Sequence, residues 1–174
     1  MCSKLRMNKK KYLLGAHLQW QNQDTKVGDL SNNQLTGTIP ESLGNLTFAS
    51  GIYLSGNFLK GSIPASLGKL TYLRLLVISD VGDSHFQFLP SNMTRSLFTL
   101  MLRNCSISGQ IPSDMGNMSS LSNLSFSNNM LSGKIPDWVQ NATWSKMYVS
   151  IYCTSYLLCI EMPITFITLL TFSS

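Results

Sequence analysis

The sequence predicts an α/β solenoid, in which short parallel strands line a concave face and loops with 3-10 turns form the convex face. An Ile-Pro pair recurs four times in a 24-residue period, with one repeat skipped, and a glycine precedes each isoleucine by two positions. The pairs are Ile39-Pro40, Ile63-Pro64, Ile111-Pro112 and Ile135-Pro136. Large apolar residues recur in the same period at Leu30, Leu54, Ile78, Leu102 and Phe126. A period of this length is typical of a stacked-repeat architecture.

The first part of each repeat has the pattern of a strand. Leu121, Leu124 and Phe126 follow the spacing L-x-x-L-x-L, and its last part alternates apolar with polar residues. This alternation is the period of a half-buried strand. So short a strand cannot bury its apolar side alone, but stacked repeats join these leucines into one core. We therefore expect Leu124 to be fully buried.

Asparagines mark the turn that follows each strand, at Asn33, Asn57 and Asn129. A buried amide at this turn can bond the backbone of its own and the neighbouring repeat, so the asparagines are expected to form a ladder. Losing one would leave buried backbone groups unpaired, at about 1–3 kcal/mol each. Cys105 occupies the same phase of the fourth repeat and is interpreted as a structural thiol.

One repeat departs from the pattern. Val81 stands in phase with the asparagines, and the stretch 81–90 lacks the asparagine, the glycine and the regular position of the proline. We expect this repeat to keep its strand, around Leu76 to Ile78, and to have an irregular outer loop. In the other repeats the glycine permits a tight turn, and the proline occupies a position that needs no ladder N–H.

These motifs together are those of leucine-rich repeats. The pattern LSNNQLTGTIPESLGNLT, at 30–47, resembles the extracellular repeats of plant leucine-rich-repeat receptor-like serine/threonine kinases. The run at 77–112, which contains the irregular repeat and LRNCSISG, resembles the subgroup whose repeats precede a malectin-like domain. The resemblance covers about residues 29–149. It implies a protein at the plasma membrane or outside the cell, with an extracellular peptide, protein or cell-wall carbohydrate as ligand and a co-receptor as a further candidate partner.

Three segments are expected along the chain: a non-repeat segment at 1–28, about five 24-residue repeats at 29–149, and an apolar tail at 150–174. The first contains a basic start and a short apolar run, which imitate a signal peptide only loosely. No Gly-rich loop, HRD or DFG motif of a kinase occurs. The chain is therefore interpreted as an ectodomain fragment without its kinase domain.

The apolar stretch 147–172 has the length of a membrane span and carries one charge, Glu161. Glu161 and Pro163 divide it into two shorter pieces, and a carboxyl at the middle of a bilayer costs a few kcal/mol. A membrane segment and an unrelated tail both remain open. An imperfect strand near 148–152 is expected to extend the repeats, because this stretch contains the β-formers Tyr148, Val149, Ile151 and Tyr152.

Composition excludes several classes of function. The formal net charge is +5, but five of the thirteen basic residues lie in the first eleven positions, so no basic stripe for nucleic acid exists. The four cysteines and two histidines show no ligand spacing, which predicts no metal and no cofactor. No nucleophile–base arrangement or phosphate loop is present, so the chain is not expected to be an enzyme.

The candidate binding residues come from the non-core positions in and just before the strands. One row at 24-residue steps contains Asp29, Tyr53, Val77, Met101 and Ser125, and the next contains Ser31, Ser55, Ser79, Arg103 and Ser127. An apolar patch is expected in the middle of this serine-rich face, with Arg103 beside it. Its predicted members are Tyr53, Val77 and Met101 in the strands, with Leu75 and Phe98 before them. Such a patch marks a contact site, covers a neighbouring domain, or reflects drift.

Six N-x-[ST] sequons are candidate glycosylation sites. They lie at Asn45, Asn92, Asn104, Asn117, Asn123 and Asn141. Three of them share one phase of the repeat, on the outer side beyond the proline. The repeat consensus G-N-L-T itself contains a sequon, so the pattern is also explained without selection for glycans.

The function that the sequence favours is a binding module for a ligand or protein, derived from a cell-surface receptor-like kinase. A soluble secreted inhibitor or decoy of the same repeat type is an alternative. A non-functional truncated gene product is another, because both ends of the repeat core would be open to water.

Overall fold

The structure is a computed structural model that describes residues 4–6, 26–81, 96–141 and 145–151. Its strands, in chain order, are β1 (Lys4–Arg6), β2 (Val27–Asp29), β3 (Thr36–Thr38), β4 (Gly51–Tyr53), β5 (Phe58–Lys60), β6 (Leu75–Ser79), β7 (Thr99–Arg103), β8 (Ser108–Gly109), β9 (Asn123–Leu131) and β10 (Lys146–Ile151). The helices are three 3-10 helices, at Glu41–Asn45, Ala65–Lys69 and Ser113–Asn117, and the short α1 (Asp137–Asn141).

The strands form a parallel sheet in which each repeat contributes one strand. Its order is β1-β2-β4-β6-β7-β9-β10, with β8 added beside β9, while β3 and β5 make a separate parallel pair. Ile52 is paired with Leu76, which in turn is paired with Leu100, so each step along the sheet is one sequence repeat. This register confirms the predicted α/β leucine-rich-repeat solenoid.

The convex side carries the 3-10 helices, and each begins directly after the proline of its repeat. Pro40, Pro64 and Pro112 have φ values of −75°, −67° and −63°, which the pyrrolidine ring favours. Shortly before each of these prolines a glycine adopts a left-handed conformation, as at Gly61 with φ +89°. A side chain would strain the backbone there, which confirms the tight turn predicted for the glycine.

The core is one continuous cluster of apolar side chains between the two faces. Leu124, predicted to be fully buried, is 1% exposed. The corresponding positions of the two preceding repeats, Leu76 and Leu100, are also buried. Stacking therefore buries each strand's leucine on both sides, as the periodicity predicts.

The asparagine ladder is present at Asn57 and Asn129, whose side chains are buried. Asn57 Nδ2 donates to Leu54 O in its own repeat at 2.9 Å and to Leu30 O in the preceding repeat at 3.0 Å. Its Oδ1 accepts the backbone N–H of Leu35 at 3.1 Å. Each amide thus closes its own turn and attaches it to the repeat before.

Asn33 differs from the prediction, because its amide is half-buried rather than buried. Its Nδ2 donates only within its own turn, to Leu30 O at 2.9 Å and Ser31 O at 3.0 Å. Among the described residues, no backbone N–H of a preceding repeat donates to it. The Asn33 amide therefore closes its own turn, as the other two asparagines do.

Cys105 is a structural thiol, as predicted. It is buried, and its Sγ donates to Ile78 O at 3.4 Å and to Arg103 O at 3.1 Å. Burial raises the pKa of the Cys105 thiol to about 12, with a smaller contribution from the negative charge of Asp80. The thiol therefore stays protonated at physiological pH, and it can act as a donor.

The irregular repeat keeps its strand, because β6 contains the predicted stretch Leu76 to Ile78. Val81 is buried where the other repeats carry asparagine, and the rest of the predicted irregular loop, at 82–90, lies outside the described residues. At the other end, β10 confirms the expected additional strand. It places Met147 opposite Leu124, whereas the regular 24-residue step would place Tyr148 there. The pairing of β10 with β9 then shifts between Val149 and Ile151.

We expect Leu124→Ala to lower the free energy of unfolding by about 2–5 kcal/mol, because it leaves a cavity inside the stacked leucines. Chemical denaturation followed by circular dichroism measures the loss. Met130→Ala is a suitable control, since Met130 is 44% exposed and its truncation creates no closed cavity. Equal losses in the two variants would contradict the burial of Leu124.

We expect Asn129→Ala to cost about 2–4 kcal/mol, because it removes the acceptor of two buried N–H groups, those of Cys105 and Ile107. Asn33→Ala removes only bonds within one half-buried turn, so its cost should be about 1 kcal/mol. The midpoints of urea unfolding rank the two variants. A larger loss for Asn33→Ala would contradict the view that the bonds between repeats dominate the ladder.

Candidate ligand-binding face

The concave face consists of the strand positions that alternate with the core. In β4, β6 and β7, the side chains of Ile52, Leu76 and Leu100 point into the core. The residue on either side of each therefore points to the opposite, concave surface of the sheet. Because the register advances by one repeat at each step, equivalent positions form straight rows across the strands.

The central row contains most of the predicted apolar patch. Asp29, Tyr53, Val77, Met101 and Ser125 are paired in succession across five strands. Tyr53, Val77 and Met101 are each half-buried, so they expose part of their surface while packing sideways. The structure therefore brings these three predicted residues together as one apolar strip.

Leu75 lies in the neighbouring row, between Gly51 and Thr99. It is the first residue of β6, whereas the sequence analysis placed it before the strand. Gly51 leaves a gap in this row, and the ring of Tyr53 lies beside the gap: a Cβ on Gly51 would be 3.5 Å from Tyr53 Cε2 and 3.8 Å from Leu75 Cδ2. Tyr53 and Leu75 thus widen the apolar strip toward the beginning of the strands.

Phe98 does not lie in either row. It precedes β7 and is 38% exposed, and its ring lies under the guanidinium of Arg74 at 5.9 Å from Cζ to the ring centroid. Arg103 is exposed at the end of β7, opposite Ser79. The predicted set therefore consists of the three-residue apolar strip with Leu75 beside it, Phe98 at one edge and the cation of Arg103 at the other.

Two serines that the sequence analysis placed on the open face, Ser125 and Ser127, are buried. At Ser125, β9 is flanked on both sides, by β7 and by β10. A short side chain between two neighbouring strands keeps little contact with water, which explains the difference. The two hydroxyls lie 3.4 Å apart.

Several exposed aromatic residues were not singled out from the sequence. Phe48 and Tyr72 stack on each other at the edge where the strands begin, with ring centroids 6.0 Å apart. Phe58, the first residue of β5, is 62% exposed. Phe48 and Tyr72 occupy equivalent positions of successive repeats, and this spacing is the signal that could have revealed them.

The predicted sequons differ in accessibility. Asn45, Asn104 and Asn117 are exposed, and Asn45 and Asn117 each end a 3-10 helix on the convex side. Asn123 is half-buried in β9, and its Nδ2 donates to Thr99 Oγ1 at 3.0 Å. Asn92 and the side chain of Asn141 lie outside the described residues.

The described part of the chain contains no group of three or more His, Cys, Asp or Glu that could hold a metal ion. Among the same residues, no helix has both the length and the apolar character that a membrane crossing needs. Of the apolar stretch 147–172, residues 147–151 belong to β10, and the remainder lies outside the described residues.

Four stretches of the chain match the family profile described as Leucine Rich Repeat, at residues 29–46, 51–70, 96–118 and 120–142. Each of the first three contains a 3-10 helix of the convex side, and the fourth contains β9 and α1. Sequence profile and structure thus agree that the chain is a leucine-rich-repeat solenoid. Among curated proteins, no sequence matches the chain significantly.

Solved structures with the same fold include ectodomains of plant receptor kinases. The ectodomain of GASSHO1/SCHENGEN3 from Arabidopsis thaliana, in complex with CASPARIAN STRIP INTEGRITY FACTOR 2, is 29% identical with a TM-score of 0.62, over 74% of this chain and 16% of that one. The ectodomain of HAESA from Arabidopsis, in complex with an IDA peptide hormone, is 32% identical with a TM-score of 0.60, over 75% of this chain and 22% of that one.

A leucine-rich-repeat protein of the bacterium Leptospira interrogans is similar to the same degree. It is 26% identical with a TM-score of 0.62, over 74% of this chain and 33% of that one. The chain therefore spans less than a quarter of the two plant ectodomains and about a third of the bacterial protein. These comparisons show a repeat module similar to the ectodomains of plant peptide receptors.

We expect the chain, when directed into the secretory pathway, to carry glycans at Asn45 and Asn117 and none at Asn123. The first two amides are exposed at the ends of 3-10 helices, whereas the amide of Asn123 is bonded inside the sheet. Glycopeptide mass spectrometry locates the glycans. Thr47→Ala and Ser119→Ala, which remove the two sequons, are the controls, and a glycan at Asn123 would contradict the register of β9.

Proposed function

We propose that this chain is the ligand-binding module of a leucine-rich-repeat receptor outside the plasma membrane, and that it holds an extended peptide along its concave face. The observation that carries the proposal is the apolar strip of Tyr53, Val77 and Met101, in register across three neighbouring strands. Side chains that are half-buried and apolar gain further burial when a partner covers them. The similar ectodomain of HAESA, which holds a peptide hormone, supports the choice of a peptide.

The dimensions of the face suit a short peptide. Five strands spaced by about 4.8 Å make each row roughly 19 Å long. An extended peptide rises by about 3.3 Å per residue, so about six residues cover the row. A peptide of this length can place an apolar side chain at the strip and still reach both charged positions, Asp29 and Arg103.

The charges of the face define the preferred peptide. Arg103 is exposed beside the strip, and a guanidinium pairs with a carboxylate through two parallel hydrogen bonds. Asp29 lies at the far end of the central row, two strands before Val77. The proposed ligand therefore has an apolar centre, a carboxylate near Arg103 and a basic or amino group near Asp29.

Three finer features of the proposal rest on the resemblance of residues 30–47 and 77–112 to plant leucine-rich-repeat receptor-like kinases. These features are an origin in such a kinase, membership of the subgroup with a malectin-like domain, and the use of a co-receptor. Under this proposal the chain acts by binding and has no reaction of its own. Glycans on the exposed convex asparagines are compatible with it, because the concave strip lies on the opposite face.

Selection from a library of random dodecapeptides tests the proposed site on the full chain. Peptides enriched by the native chain should combine an apolar residue with Asp or Glu. Their affinity should fall at least about tenfold in Val77→Asp, because this change places a charge in the middle of the strip. Ser62→Asp introduces the same charge at an exposed convex position and should leave the affinity unchanged.

Charge reversal makes the test specific for the orientation of the peptide. When the Arg103→Glu variant is the target of the selection, basic peptides should be enriched in place of acidic ones. The variant carries a negative charge at this edge, and a basic side chain of the peptide complements it. Thermal unfolding of each variant verifies its fold. Peptides that bind Val77→Asp as tightly as the native chain, or a selection that Arg103→Glu leaves unchanged, would refute the proposed site.

A further inference from the structure

A second concavity lies away from the apolar strip, at the edge where the strands end. At this edge, one residue in each of five successive repeats adopts the left-handed conformation. These residues are Asn32, Gly56, Asp80, Asn104 and Asn128, with φ values of 55°, 66°, 55°, 50° and 57°. Asn, Asp and Gly are the residues that adopt this conformation most readily, so the turn itself selects short polar side chains. The result is a column of amide and carboxylate groups along this edge.

The first four residues of this column line a groove of about 530 Å³, together with Gln34 and Phe58. This volume falls within the range of about 300–1,000 Å³ that is typical of small-molecule sites. Gly56 contributes to its shape, because a Cβ there would lie 2.5 Å from Asn32 Oδ1. The absence of a side chain at Gly56 lets the Asn32 amide lie across the next turn.

The polar groups of the groove are side-chain amides, which both donate and accept hydrogen bonds, and the carboxylate of Asp80. Asp80 Oδ1 accepts a bond from Asn104 Nδ2 at 2.9 Å, and a carboxylate has further acceptor sites on both oxygens. A ligand that offers several hydroxyl groups can donate to the free acceptor sites of the Asp80 carboxylate and exchange hydrogen bonds with the amides of the column.

The apolar component of the groove is Phe58, whose side chain is 62% exposed. It lies in β5 and presents an aromatic ring beside the polar column. Of the described residues, no lysine or arginine lines the groove, and Asp80 is its one carboxylate, so neither an anion nor a strongly held divalent cation suits it. The fitting ligand has hydroxyl groups on its rim and an apolar face of C–H groups.

We propose that this groove binds a sugar ring, with its C–H face stacked on Phe58 and its hydroxyls donating to Asp80. The proposal is independent of peptide binding on the concave strip. Two sources of the sugar share this chemistry, namely a free neutral oligosaccharide and an N-glycan attached to Asn104. Asn104 begins the sequon Asn-Cys-Ser, and an attached glycan leaves one N–H on its Nδ2 for Asp80.

The first arm of the experiment uses the full chain from bacteria, which lacks N-glycans. Cellotetraose and tetra-N-acetylchitotetraose are titrated and followed by calorimetry or ligand-detected NMR. Saturable binding is expected, and Phe58→Ala should weaken it by about three- to tenfold, as expected for the loss of one stacking contact. Asp80→Asn tolerates the left-handed backbone and should also weaken binding, because it removes the strongest acceptor.

Phe48→Ala is the matched control, because it removes another exposed phenylalanine, at the edge where the strands begin. It should leave the affinity for the sugar unchanged. Phe58 is largely exposed, so Phe58→Ala is expected to fold, and thermal unfolding verifies this. Equal weakening by the two alanine variants would overturn the proposed groove.

The second arm uses the full chain secreted from plant cells and follows the rate at which an endoglycosidase removes the glycan from Asn104. A glycan docked in the groove should be removed several-fold faster in Phe58→Ala than in Phe48→Ala. Free-sugar binding in the first arm assigns the groove to an external saccharide. Protection of the Asn104 glycan alone assigns it to the chain's own glycan, and failure of both arms overturns the proposal.

Discussion

The buried ladder amide, present at Asn57 and Asn129, is the interaction on which the regular part of the molecule depends. Asn57 closes its own turn through Leu54 O and reaches Leu30 O and the N–H of Leu35 in the preceding repeat. Because one side chain bonds both turns, the two turns must adopt the same conformation and lie at equivalent positions along their strands. The straight rows on the concave face and the left-handed column at the strand ends both follow from this constraint.

The features that repeat could be predicted from the sequence, and those that depend on particular neighbours could not. The period alone placed Leu124 in the core and aligned Tyr53 with Val77, because equivalent residues of successive repeats must meet. It could not show that Ser125 is buried, since this depends on how closely the side chains of the flanking strands approach so short a residue. Nor could it separate Phe98 from the strip, because its ring lies under Arg74 at the edge of the sheet.

The regular framework also explains why binding specificity can vary without loss of stability. The core leucines and the ladder amides of Asn57 and Asn129 are buried, so a change there costs several kcal/mol. The row positions are only half-buried, as at Val77 and Met101, and their substitution affects stability less. Ligand recognition can therefore change at the rows and at the strand-end groove, while the residues that maintain the register stay constant.

The ladder amide both donates and accepts hydrogen bonds, and Cys105 separates these two functions. Its thiol reproduces the donor half, because it reaches Ile78 O in the preceding repeat as Asn129 reaches Leu102 O. The other half, which Asn129 Oδ1 fulfils for two backbone N–H groups, requires an acceptor, and sulfur is a weaker acceptor than an amide oxygen. In the repeat before Cys105, Val81 replaces the asparagine and the sequence pattern of the outer loop is irregular. The replacement of the amide by a thiol and the departure from the repeat pattern thus occur in adjacent repeats of the solenoid.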